Sequence, residues 1–200
     1  MNKKVLIVVD YQIDFASPNG ALFVPGAQHI DKNIQREIDN PEYTDIIYTL
    51  DTHIQSDYQK SEEASMFPPH CIFNTEGWQF YNIKYRNRSI NDIMNGHLFD
   101  EPVDFSIGNE FIFVKDKFSI WDGNKNYAQF ISSRYDKDTE FVICGIATNY
   151  CVFENAMGYR DIGFNNVSII EDAVKGIEDD SLETNINIMK ENGIAFIGGN

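Results

Sequence analysis

Four stretches of this chain end in side chains that could do chemistry together. In Phe141-Val-Ile-Cys-Gly-Ile-Ala-Thr-Asn-Tyr-Cys151, an apolar run ends at Gly145 and a small-residue turn leads to Cys151. Helix-like periodicity follows, so the thiol stands at a helix start beyond the carboxyl end of a strand. Backbone N–H groups and the helix dipole favour a thiolate there; a free cysteine is otherwise a small buried hydrophobe. A reactive thiol needs a base, and Asp10, closing the run from Lys4, can take its proton. A carboxylate beside a thiolate needs a cation, supplied by Lys115 at the end of Phe111-Ile-Phe-Val or by the nearby Lys117.

A second group has the character of a metal site. Asp51 ends another apolar run, and His53 follows two residues on, on the same side of an extended segment. His70 follows the stiff Phe67-Pro-Pro turn, with Glu63 in the loop between. Two imidazoles and two carboxylates suit zinc first, with iron or manganese as alternatives. Cys71 adjoins His70 but should face the other way. Cys144 and Cys151 are too widely spaced for a zinc knuckle. His29 and His97 have no comparable partners and read as surface or helix-packing residues.

The elements that must position these groups alternate. Strands are expected at 4–10, 45–50, 111–115, 140–144, 167–170 and 194–197. Helices are expected at 27–40, 125–135, from a cap at Thr148 or Asn149 to about Asp161, and at 181–192. A short helix is read at Ile90 to Leu98. Residues 11–26 read as a loop, and 51–80 as a long irregular segment of the kind that carries function. Such alternation predicts an α/β, three-layer, Rossmann-like fold: about six mostly parallel strands with helices on both faces. Ligands then bind beyond the carboxyl ends of the strands, where all the candidate groups lie.

Composition narrows the classes further. The 200 residues are 42% hydrophobic and 14% aromatic, enough for one core, so a single domain over 1–200 is expected. With 31 acidic against 16 basic residues, the net charge is −15. No basic run exceeds Lys3-Lys4, which excludes a phosphate-backbone binder. Three cysteines without close pairs suit a reducing compartment. The apolar run Val5–Val9 is too short for a membrane span or a signal-peptide core, so a cytoplasmic protein with no membrane partner is expected.

Taken together, the motifs resemble the isochorismatase-like cysteine hydrolases, and among them the nicotinamidases. Val8-Val-Asp-Tyr-Gln-Ile-Asp-Phe15 is similar to that family's Asp-x-Gln-x-x-Phe opening. Asp51-Thr-His53 with Phe67-Pro-Pro-His70 is similar to the nicotinamidase metal motif. Lys115-Asp-Lys-Phe-Ser-Ile-Trp121 looks like its Lys-x-x-x-Ser-Ala-Phe segment, a register that selects Lys115 over Lys117. Cys144-Gly-Ile-Ala-Thr-Asn-Tyr-Cys151 is similar to its nucleophile turn, and Glu171-Asp-Ala173 to a later Asp-Ala.

The resemblance implies Cys151 as nucleophile, Asp10 as general base and acid, and Lys115 as charge partner. It implies Asp51, His53 and His70 as metal ligands, with Glu63 as a fourth in some members. Phe15, Phe67 and Phe118 would wall an aromatic ring. A cis peptide would join Ile146 to Ala147, and the N–H groups of Ala147 and Cys151 would hold an oxyanion. The implied reaction is hydrolysis of nicotinamide, a small aromatic carboxamide, to nicotinate and ammonia in NAD salvage, through a cysteine thioester in a homo-oligomeric enzyme. A related amide or ureido hydrolase is the alternative; a non-catalytic binding protein is disfavoured by the complete triad. The chain departs from the pattern at Ile120 and Trp121, in place of Ala and Phe, so a changed pocket wall is expected. Tyr11 stands for Met, and Phe118 for Tyr.

Overall fold

A computed structural model describes residues 3–61, 63–86 and 108–198. Among the described residues, six strands make one sheet: β1 (Lys4–Val9), β2 (Asp45–Asp51), β3 (Glu110–Lys115), β4 (Glu140–Ile146), β5 (Val167–Lys175) and β6 (Ala195–Ile197). Their order is β3-β2-β1-β4-β5-β6, and every pair is parallel. The helices are α1 (Ile13–Ala16), α2 (Asp31–Asp39), α3 (Ile120–Gly123), α4 (Tyr127–Arg134), α5 (Cys151–Asp161) and α6 (Ser181–Glu191).

The central strand shows why the sheet is sandwiched. Val5 to Val9 are all fully buried, without polar alternation. Val5, Ile7 and Val9 join one core with residues of α4, α5 and α6; Leu6 and Val8 join another with Ile34 and Ile38 of α2. A strand buried on both faces must be apolar at every position. Each such side chain contributes roughly 1.5–3 kcal/mol on burial. Among the described residues, no helix is long and apolar enough to cross a membrane.

Several boundaries differ from the sequence expectation. The 11–26 loop contains the short helix α1. The 27–40 segment divides into a 3-10 turn, Ala27–His29, and α2, entered through Gly26 at φ 91°. β4 continues to Ile146 and β5 to Lys175. β5 outruns its apolar stretch because its register against β4 shifts between Ile143 and Gly145, so Gly145 pairs with Val174. Neither Thr148 nor Asn149 caps α5: the residue before the helix is Tyr150, with no side-chain cap. The expected helix at Ile90 to Leu98, and His97 within it, lie outside the described residues.

The chain reverses its order across the sheet between β1 and β4, which are adjacent. That is the switch point where an open parallel sheet leaves a crevice. Asp10 follows β1 directly, and Cys151 follows β4 after a four-residue turn. The approach is tight: a Cβ at Gly145, which has φ 116°, would lie 2.0 Å from the Val9 carbonyl oxygen. Only glycine fits there.

Candidate active site

Lys115 ends β3 as a fully buried ammonium with four neighbours. Its Nζ lies 2.8 Å from Asp10 Oδ2, 3.4 Å from Cys151 Sγ and 3.5 Å from Asp51 Oδ1, and it donates to the Lys117 carbonyl at 2.9 Å. The choice between the two lysines is thereby resolved geometrically, since Lys117 offers the site a backbone oxygen. Asp10 sits in the left-handed region at φ 45°. Its Oδ1 accepts a 2.6 Å hydrogen bond from the Thr49 hydroxyl. Neither Thr49 nor this bond was legible as part of the site, although a hydroxyl inside an apolar strand must find a partner.

The four proposed ligands are all buried and converge. One ligand atom from each of Asp51, His53, Glu63 and His70 falls within 4.8 Å of the others. His53 Nε2 lies 3.1 Å from Asp51 Oδ2 and 3.4 Å from Glu63 Oε2; His70 Nε2 is 3.2 Å from each of the same oxygens. His70 Nδ1 donates to the Pro68 carbonyl at 2.8 Å, which turns Nε2 toward the carboxylates. Both Asp51 oxygens, Glu63 Oε1 and His53 Nε2 are buried without a hydrogen-bond partner. Acceptors of this kind are costly unless a cation satisfies them, and the oxygen–nitrogen donor set fits a divalent transition metal. Gln12 holds Asp51 from behind: its Oε1 accepts from Asp51 N at 2.7 Å, and its Nε2 donates to Asp51 O at 2.9 Å. The Asp-x-Gln spacing contained this residue, but only the fold reveals its target. His29 is exposed, bonded to Gln28 and away from the set.

Between thiol and ligands lies a narrow cleft lined by Cys151, Ala147, Phe15, Phe67, Phe118 and Tyr150 among others. Leu22 and Ile177 complete its apolar wall. Phe67 packs edge-on against Phe118 and Tyr150, at centroid distances of 6.2 and 5.7 Å. The peptide from Ile146 to Ala147 is cis. The expectation that Ile120 and Trp121 alter the wall is not met. Ile120 is buried in the core, and the Trp121 ring packs on Tyr127 and Tyr159 while its Nε1 donates to the Asn155 carbonyl. Asn149, read as a cap, instead donates from Nδ2 to Ile177 O, Asp179 and Ser181, tying the nucleophile turn to the loop after β5.

The electrostatics revise the sequence reading of the thiol. Burial pushes Cys151 well above the ordinary thiol range; Lys115 opposes it, while Asp10, Asp51 and Glu63 add to it. The helix-start position does not produce a resting thiolate, and the thiol depends on a base. Burial also raises Asp10, against Lys115 and Thr49 and with help from Asp51. A raised carboxylate is a stronger base than an ordinary one, which suits it to taking the thiol proton. Burial disfavours the charge on Lys115, but Asp10, Cys151, Asp51 and Glu63 outweigh it and hold the ammonium. Burial works against protonating the imidazoles too, yet Asp51 and Glu63 raise His53 to about 9 and His70 to about 10. Burial alone would raise Asp51, but Lys115, His53 and His70 hold it well below the usual carboxylate range.

Comparison with known proteins agrees with this geometry. The isochorismatase domain family profile matches residues 88–199. The chain is 24% identical to the nicotinamidase of Saccharomyces cerevisiae over 203 residues, covering 88% of this chain and 90% of that one. It is 28% identical over 170 residues to the isochorismatase family protein PncA of Bacillus subtilis, covering 82% of each. The pyrazinamidase of Pyrococcus horikoshii, solved in complex with zinc, superposes with a TM-score of 0.75 at 26% identity, covering 98% of this chain and 99% of that one. A switch-point cysteine with its buried Lys–Asp pair, joined to a profile that spans more than half the sequence, makes this chain a member of the isochorismatase family.

Proposed function

We propose that this protein hydrolyses nicotinamide to nicotinate and ammonia through a thioester on Cys151. The observation that carries the reading is the single ammonium of Lys115, within 3.5 Å of Asp10, Cys151 and Asp51 at once. One buried cation thus serves a nucleophile, its base and a metal-ligand set. The likeness to the yeast nicotinamidase and to the zinc-bound pyrazinamidase supports the choice of substrate.

In this reading the aromatic ring lies between Phe15, Phe67 and Phe118, with the carboxamide carbon toward Cys151. Asp10 takes the thiol proton, and Lys115 stabilises the negative charge first on Asp10 and then on the sulfur. The thiolate attacks the carboxamide carbon, and the N–H groups of Ala147 and Cys151 receive the oxyanion; one such donor is typically worth about 3 kcal/mol. Protonated Asp10 then gives its proton to the departing nitrogen, and ammonia leaves the thioester. Asp10, again a carboxylate, activates the water that releases the acid and restores the thiol. Asp51, His53, Glu63 and His70 would hold one divalent metal, zinc first and iron or manganese next. Bound there, it would supply a Lewis acid that anchors the ring nitrogen. The same reading makes residues 1–200 one catalytic domain, self-associating, in cytoplasmic NAD salvage.

The test is ammonia release by zinc-loaded protein from nicotinamide, pyrazinamide and a panel of ureido compounds. Activity on the two aromatic amides, abolished in Cys151→Ala, is expected. Turnover of ureido compounds alone would reassign the substrate, and full activity in Cys151→Ala would end the thioester mechanism.

A further inference from the structure

We propose that Asp14, outside the triad and the ligand set, is a positioning residue that holds the metal-ligand loop against the substrate wall. Its two carboxylate oxygens are divided between two loops. Oδ2 accepts from the Cys71 backbone N–H at 2.7 Å, and Oδ1 accepts from Ala21 N–H at 3.0 Å. Cys71 directly follows the ligand His70, and Ala21 directly precedes Leu22, which lines the cavity. Phe15, the next residue after Asp14, also lines the cavity, with its ring 5.3 Å from that of His70.

The Cys71 bond has a specific task. Cys71 adopts φ 46°, in the left-handed region that favours glycine. Such a conformation persists when its surroundings over-determine it, and a charge-assisted bond at 2.7 Å is the strong kind of restraint. From there the chain continues into a bridge with the other imidazole ligand: His53 N donates to Cys71 O at 3.0 Å, and Phe73 N donates to His53 O at 2.8 Å. Asp14 therefore fixes the backbone beside His70 and, through residues 71–73, the backbone of His53. Asparagine could not replace it, because an amide has one acceptor oxygen and would turn an NH₂ toward one of the two N–H donors. Gly77 lies against the same carboxylate: a Cβ there would fall 2.3 Å from Asp14 Cγ, Oδ1 and Oδ2.

The inference rests on Asp51, His53, Glu63 and His70 being a metal site, and its test needs no substrate. Zinc affinity is measured by competition with a chromophoric chelator on folded protein, alongside the thermal midpoint. Asp14→Asn is expected to weaken zinc binding about 10- to 100-fold, the usual size of an outer-shell effect. Gly77→Ala, which displaces the carboxylate without changing its charge, should do the same and serves if Asp14→Asn fails to fold. In a Cys71→Gly background, where positive φ is free, the loss from Asp14→Asn should shrink to less than about threefold. Wild-type affinity in folded Asp14→Asn overturns the proposal, and an undiminished loss in the Cys71→Gly background overturns its route through residue 71. A wild-type protein that takes up no zinc would instead defeat the metal reading itself.

Discussion

Thr49→Val should slow the enzyme by removing one oxygen atom it never shows to substrate. The Thr49 hydroxyl donates to Asp10 Oδ1 at 2.6 Å, and both residues are fully buried. Asp10 keeps Lys115 on its other oxygen, so valine, close to isosteric, leaves packing intact and removes one donor to a buried charge. A hydrogen bond to a charged group contributes roughly 1.5–3 kcal/mol. The bond favours the carboxylate form, opposing the burial that raises Asp10. Without it Asp10 binds its proton more readily, and a smaller fraction is available as base at neutral pH. If the whole loss falls on the base, kcat/KM on nicotinamide drops about 10- to 150-fold near pH 7. The acid limb of the pH profile moves upward, so part of the rate returns at higher pH. Thr49→Ser, which keeps the hydroxyl, should stay near wild type. A Thr49→Val profile that superposes on the wild type in both rate and acid limb would refute the placement of Asp10 as base.

Further expectations follow from individual contacts. A small thiol reagent should modify Cys151, 6% exposed and lining the cavity, well before Cys71 or Cys144, both 0% exposed, and a nicotinamide-sized ligand should protect it; simultaneous labelling of all three counts against a substrate-accessible thiol. Gly158→Ala, a change that normally stabilises a helix by about 1 kcal/mol, should here destabilise by about 1–3 kcal/mol through overpacking. A Cβ would stand 1.9 Å from Trp121 Nε1, and KM should not move because that ring lies outside the cavity. In chelator, the carboxylate-bound imidazoles contribute stability that is fully present below the ordinary histidine value of 6.5 and is lost as pH rises through about 9 to 10. The chelated protein's thermal midpoint should therefore fall between pH 7 and 10, and a flat midpoint would contradict the raised values.

What the sequence disclosed and withheld has a physical division. Residues that end apolar runs were legible, because a buried parallel strand must be apolar to its tip and its first polar residue marks the carboxyl edge. That is how Asp10, Asp51, Lys115 and the turn before Cys151 fell together. The apolar run alone left Lys117 as a competitor to Lys115; the motif register selected Lys115, and β3 ends on it. Glu63 was read as a fourth candidate ligand from its place in the loop, and the fold brings it back beside Asp51, 12 residues earlier. Thr49, Gln12 and Asp14 were missed as site residues because their partners lie 39 to 57 positions away. The dependence of the thiol on its base is clearer in the structure than in the sequence for a related reason. The helix start is a local feature, whereas burial and three carboxylates are assembled from four separate segments. Trp121 was given to the pocket because neighbours in sequence share a motif; α3 turns its ring toward Gly158 instead.

The shared position of Lys115 also fixes the charge of the chamber. Asp10, Asp51 and Glu63 bring three carboxylates to one ammonium, which leaves two negative charges when the imidazoles are neutral. A divalent ion would bring that sum to zero. An uncharged chamber accepts a neutral amide without electrostatic cost, whereas the acid that hydrolysis releases, once it gives its proton to solvent, is an organic anion beside the Asp10 carboxylate. Repulsion between like charges in a site with little water favours departure of the acid. The arrangement that activates the thiol thereby also sets the direction of traffic: neutral molecules enter, and anions are expelled.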